Sequence, residues 1–108
     1  MDMSSIIVRV GSTIHITMQD VAQALFDLYR VDITWDTSRK RKVVTAKMLF
    51  CYYCFKYLKK NQTEIGRVVN LDRTTVVKHI KSCKGFIDID QEEFVEGFNS
   101  LYKTLNQF

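Results

Sequence analysis

The twenty residues Gln62–Lys81, QTEIGRVVNLDRTTVVKHIK, carry the spacing of a helix-turn-helix, and no other stretch restricts the fold as much. An apolar residue stands fourth (Ile65) and glycine fifth (Gly66); Val69 is eighth, Asn70 ninth, Leu71 tenth, Val76 fifteenth and Ile80 nineteenth. Each position has a mechanical reason. Two helices joined by so short a turn cross closely, so a side chain larger than that of Gly66 would push them apart. Asn70 falls at the turn, where the backbone needs a positive φ that Asn tolerates better than most residues. Ile65, Val69, Leu71, Val76 and Ile80 are expected to face inward. Asp72, Arg73, Thr74, Val77, Lys78 and Lys81 remain outside on the second helix, a surface suited to a DNA groove.

The charge distribution agrees with that surface. The 108 residues carry a formal charge of only +4, but unevenly. Residues 1–36 are net −3, residues 37–85 hold thirteen basic and two acidic side chains for a net of +11, and residues 86–108 are net −4. A solvated surface of mixed charge predicts interspersion instead of one basic block. A basic block coinciding with a helix-turn-helix points to a polyanion partner, because neutralising phosphates releases counterions. The longest apolar run, Met48–Phe55, is eight residues, far short of the ~20 that a membrane helix needs. The first residues, MDMSSIIVRV, lack the basic region and cleavage pattern of a secretory signal. Three cysteines, an odd number, fit a reducing compartment better than a disulfide framework. A cytoplasmic protein is therefore expected.

The periodicity predicts an all-α, five-helix domain over residues 17–108, preceded by a short N-terminal β-hairpin arm over residues 1–16. Ile6–Val10 and Thr13–Ile16 alternate in polarity around Gly11-Ser12, which suits a type II′ turn. An isolated hairpin is marginal, so it must pack on the domain or pair with a second copy. The first helix is expected to start after Thr17, with Asp20 completing a capping box, and to run to about Arg30. Val21, Leu25, Leu28 and Tyr29 form its buried stripe, with Ala22 and Phe26 beside them. Trp35 in the linker Val31–Ser38 reads as a packing anchor. A long helix follows to about Lys59, apolar nearly all round and hence central. Asn61 or Gln62 opens the first member of the helix-turn-helix, and Asp72 caps the second. Gly85 is expected to end that helix, Phe86–Ile89 to be extended, and Asp90 with Glu93 to cap a last helix whose Phe94, Phe98, Leu101 and Leu105 face the core.

From Met18 to Leu105 this order resembles the C-terminal DNA-binding domain of the bacterial replication initiator DnaA: a helix, a basic loop, a long helix, a helix-turn-helix and a closing helix. Glu64-Ile65-Gly66 matches the first part of the family's helix-turn-helix, and Asp72, Thr74, Thr75 and Val76 match the second. Arg39–Lys42 stands at the basic loop, matched in charge. The resemblance implies that Asp72, Thr74 and Thr75 read the major groove while an arginine of the basic loop enters the minor groove. Two departures stand out. Asn70-Leu71 replaces the family's Gly-Gly-Arg, which shortens the turn, and Arg73 replaces its His. A different DNA site is the expected consequence. No phosphate-binding loop like that of the family's ATPase module occurs in these residues.

Arg73 is the strongest candidate for base readout, since arginine can donate two bonds to guanine O6 and N7; the plainer alternatives are a phosphate contact or a pair with Asp72. Asp72 reads first as a helix cap, though as an acceptor it can take a cytosine N4 proton. Thr74 and Thr75 can bond phosphate or offer a methyl to thymine, and Thr75 is the one expected to turn toward the first helix of the pair. Lys78 and Lys81 are expected on phosphates. Arg39, Lys40, Arg41 and Lys42 can track phosphates or send one arginine into a narrow minor groove; the plain alternative is a solvated loop. Lys47, Lys56, Lys59 and Lys60 read as solvated ends of the central helix, Lys47 being the one expected to touch DNA. Gln62 and Thr63 stand where helix N–H groups meet a phosphate.

Cys51 and Cys54 form C-x-x-C, with His79 and Cys83 the other candidate zinc ligands, but their place within Phe50–Phe55 favours core packing. Neither a metal, a cofactor nor a small-molecule substrate is expected, and no nucleophile–base constellation emerges, so no enzyme is expected. The leading expectation is sequence-specific binding of double-stranded DNA in replication initiation or its regulation. Two alternatives are a small dimeric transcriptional regulator, joined through the hairpin, and a protein-interaction adaptor.

Overall fold

A capping box opens the first helix. In the computed structural model, which describes residues 16–106, the Thr17 hydroxyl accepts the Asp20 N–H at 3.1 Å and the Asp20 carboxylate accepts the Thr17 N–H at 2.9 Å. This helix, α1, spans Met18–Tyr29 and ends where Arg30 turns left-handed at φ 58°. It is followed by α2 (Arg41–Lys56), α3 (Gln62–Val69), α4 (Arg73–Asp88) and α5 (Glu92–Leu105). The all-α, five-helix expectation holds for the described residues, none of which lies in a strand. The expected hairpin, apart from Ile16, lies outside them, and so does any pairing of copies through it.

Helix α2 is the centre. Every residue from Thr45 to Cys54 is buried, and α1, α3, α4 and α5 all pack against it. A helix with no polar face along that length can only be an interior one. The sulfurs of Cys51 and Cys54 belong to this core, as does Cys83 facing them from α4, and all three residues are wholly buried. Burial pushes the Cys51 and Cys83 thiols up to about 12 and raises Cys54 further.

The helix-turn-helix forms as the frame dictates. Asn61 and Glu64 make a second capping box at 2.8 and 3.2 Å. Asn70 adopts φ 56°, and the Asp72 carboxylate accepts the Thr75 N–H at 2.7 Å. Ile65, Val69 and Val76 are buried, with Leu71 and Ile80 packed partly buried at the margin. A Cβ on Gly66 would run into the Leu71 carbonyl oxygen and come within 3.4 Å of Val76 Cγ2. The close crossing is therefore real and specific to this glycine.

Four expectations are corrected. On α1, Leu28 and Phe26 are 40% and 41% exposed: the helix packs chiefly on α2 and α5, and Val31 and Ile33 of the linker enter the core beyond it. Trp35 is no anchor but 77% exposed. The linker keeps its shape without the indole, through side-chain caps in which Asp32 accepts the Thr34 N–H at 3.0 Å and Asp36 accepts the Ser38 N–H at 2.8 Å. Gly85 does not end α4, and Phe86–Asp88 is helical. The series Val76, Ile80, Cys83, Ile87 keeps the helical period past the glycine, and Phe86 stacks on Phe94 with ring centroids 4.7 Å apart. The left-handed residue that closes α4 is Asp90 (φ 56°), with Gln91 N–H donating to Phe86 O at 2.9 Å. Consequently Asp90 cannot cap α5; Gln91 holds that place without a side-chain bond, and Glu93 is used elsewhere. Phe94, Leu101 and Leu105 are buried as expected and Phe98 partly so.

Two measurements check this packing. Gly66→Ala should destabilise the domain by roughly 1–3 kcal/mol, the usual cost of overpacking a tight contact. Gly85→Ala, whose Cβ would meet nothing within 4 Å, should instead stabilise it by about 0.5–1 kcal/mol, since alanine is the better helix residue; denaturant melts of both variants read the sign. The three thiols should resist a disulfide reagent in the folded protein and react together once it unfolds, because only thiolates attack and burial suppresses them.

Candidate nucleic-acid interface

Helix α4 offers one side of its first half to solvent and most of its second half. Asp72, Arg73, Thr74, Lys78 and Lys81 are exposed, whereas Thr75 and Val77 are half-buried. Thr75 is thus the threonine turned inward. Asp72 works as the cap: the N–H of Thr75, and then its hydroxyl, hold the carboxyl below the ordinary aspartate range. With that carboxylate engaged, the Asp72–Arg73 pair does not form, and Arg73 has no ion pair among the described residues. The guanidinium is left at the tip of the second helix, one residue beyond the cap. Of the two residues at the start of α3, Thr63 is exposed and Gln62 half-buried.

The basic segment is only half a loop. Arg39 and Lys40 precede α2, while Arg41 and Lys42 form its first turn, all four exposed. Lys40 occupies the N-cap without a side-chain bond, and no acidic residue lies in that turn. Arg41 is engaged from α5: its Nη2 and Nε donate to Glu93 Oε1 at 2.7 and 3.0 Å, and the Thr45 hydroxyl donates to Glu93 Oε2 at 3.2 Å. The Arg41 bond holds the Glu93 carboxyl low and raises the guanidinium in turn. Here is the use of Glu93 that local spacing assigned to a cap.

Lys47 corrects the reading of it as a solvated helix end. It stands in the middle of α2 and is 7% exposed, its stem sharing the buried stretch of the helix. Its charge is felt on both sides. Burial first and Lys47 second lower His79 on α4, and Lys47 contributes, after the Ser38 bonds, to lowering Asp36 in the linker. Lys47 is thus near enough to Asp36 and to His79 for its charge to act on both. At the other end of α2, Lys56, Lys59, Lys60 and Lys84 converge on a cleft of about 540 Å³ beside Asn61 and Gln62. Lys56 donates to the Tyr52 hydroxyl at 3.1 Å, which raises its pKa, and sits over the Tyr52 and Tyr57 rings.

One bond joins the two halves of the basic surface. Asn70 Nδ2, in the turn of the helix-turn-helix, donates to the Thr34 carbonyl of the linker at 3.0 Å. The turn thereby holds the segment that leads into Arg39. Local reading missed this second task of Asn70, as it missed the pairing of Glu93, because the partners lie 36 and 52 residues away. Charge opposite charge was the only available sign for Glu93, and for Asn70 there was none.

The family model described as the bacterial DnaA protein helix-turn-helix matches residues 17–83, more than half of the chain. The match ends at Cys83, leaving the last turn of α4 and all of α5 beyond it. Neither the curated proteins nor the solved structures compared with the chain yield a match. A helix-turn-helix with its turn, caps and close glycine crossing in place, inside the matched span and preceded by a basic segment, belongs to the DnaA helix-turn-helix family of DNA-binding domains.

Proposed function

We propose that the protein binds double-stranded DNA sequence-specifically, with α4 in the major groove and Arg39–Lys42 on phosphates or in the adjacent minor groove, and that it serves replication initiation or its regulation. The observation that carries this reading is the exposed run of Arg73, Thr74, Lys78 and Lys81 along α4, beside which the one acidic residue, Asp72, is engaged as the helix cap. Arg73 is the reader of a base, where a forked donor meets guanine O6 and N7. Thr74 contacts phosphate or a thymine methyl, and Thr75, half-buried, offers less. Lys78 and Lys81 hold phosphates and set register without selecting sequence.

The start of α2 supports the second contact. Positive side chains at Lys40, Arg41 and Lys42 stand at the positive end of the helix dipole, with no acidic residue in the first turn. That arrangement is unfavourable in the free protein and favourable beside a phosphate. Arg39 and Lys40, free of α5, are the members best able to reach a groove, whereas Arg41 must share itself with Glu93. Lys47, although buried along its stem, adds positive potential felt at Asp36 and His79, and Gln62 and Thr63 present the start of α3 to a phosphate.

Selection from a random duplex pool supplies the test site. On it, Arg73→Ala should flatten discrimination at one base pair, worth roughly 1–3 kcal/mol. Lys78→Ala should weaken every duplex and lower the slope of log affinity against log salt by about one. Equal losses on all sequences for Arg73→Ala would remove its readout role. Undetectable binding to any duplex at ~50 mM salt, where basic DNA binders retain non-specific affinity, would remove the DNA reading itself.

A further inference from the structure

We infer that Trp35 is a DNA-contacting residue whose indole packs on the sugar–phosphate strand lying between the groove that receives α4 and the one approached by Arg39–Lys42. The inference rests on the DNA-binding reading above and adds to it a contact that neither the helix-turn-helix frame nor the basic charge pattern marks.

Three observations lead there. Trp35 is 77% exposed in a domain that buries α2 from Thr45 to Cys54, and it is held out by a braced linker. Its backbone N–H donates to the Asp32 carbonyl at 3.1 Å, and capped turns at Asp32 and Asp36 flank it. The neighbouring residue, Thr34, is gripped through its carbonyl by Asn70 of the helix-turn-helix turn, two residues before the cap of α4. On its other side the chain reaches Arg39 only four residues later. Trp35 therefore lies between the two segments assigned to DNA.

Adjacent grooves of a duplex are separated by a backbone strand. Whatever projects between a major-groove helix and a segment at the neighbouring minor groove meets deoxyribose and phosphate, not base edges. Indole suits that surface, with an apolar face for the sugar and an N–H for a phosphate oxygen. Such a contact raises affinity for every sequence alike. It also leaves the salt slope untouched, because no cation is exchanged for a counterion. This combination separates Trp35 from Arg73, which would alter selectivity, and from Lys78, which would alter the slope.

Trp35 is the single tryptophan of the chain, so its emission reports this site alone. The full chain is titrated with a fluorescently labelled duplex recovered from the random pool and with a mixed-sequence duplex of equal length, reading label anisotropy and indole emission together. Indole emission should change at saturation with both duplexes. Trp35→Ala should weaken both by about five- to tenfold, the loss of one packed aromatic, with the salt slope and the melting temperature kept, and Trp35→Phe should recover most of the loss. Unchanged emission at saturation, or Trp35→Ala binding both duplexes as the parent does, would overturn the inference while leaving DNA binding intact. A loss confined to the selected site would overturn the backbone placement, and emission that depends on protein concentration without DNA would assign the indole to self-association instead. Absence of any anisotropy change for the parent protein defeats the DNA reading and this contact with it.

Discussion

Burial of α2 is the constraint on which the other helices depend. From Thr45 to Cys54 the helix has no face left for water, so four partners must cover it. Each fully buried large apolar side chain, such as Leu49 or Phe50, contributes about 1.5–3 kcal/mol relative to exposure. The debt of the neighbours is clearest in α3, which has only eight residues. A helix that short is unstable alone; it exists because its capping box closes one end and Ile65 and Val69 lie in the core of which α2 is the centre. The bare surface of Gly66 then lets the chain double back to start α4.

Features confined to a few consecutive residues were legible in the sequence. Thr17 with Asp20, Asp72 before its helix, and the left-handed Asn70 each follow from bonds made within three or four residues, which spacing reveals. Where a residue had a local and a distant option, spacing chose the local one. Glu93 matched a capping pattern yet serves Arg41, and Gly85 matched a helix stop yet lies within a helix whose apolar period continues to Ile87. Trp35 shows the opposite failure. Hydrophobicity alone pointed it inward, but Val31 and Ile33 fill the core near that linker. For the interface, the exposed face of α4 followed from the frame, whereas the place of Lys47 required knowing that α2 is covered on all sides.

Counting charge overstates what is on offer to a polyanion. Within the basic block, Arg41 is bound to Glu93, Lys84 to Asp88 at 2.7 Å, and Lys47 has its stem in the core. Acidic α5 therefore does more than balance the total. It reaches the start of α2 and tempers one cation there, leaving Arg39, Lys40 and the exposed side of α4 as the less committed positive surface. Asn70 ties those two regions together through Thr34, so they present one surface whose parts keep their spacing.

The ends of the helices have a further consequence. Arg30, Lys59, Asn70 and Asp90 all take positive φ, and among the described residues no glycine does. For residues with a Cβ this conformation carries strain of about 1–2 kcal/mol, less for Asn and Asp, held in place by packing on either side. A domain built this way keeps stability in reserve, because Arg30 and Lys59 can relax by mutation without disturbing the core or the exposed side of α4. Drift in the residues that meet the partner could be compensated at those corners, which lets such a surface change its preference while the scaffold stays folded.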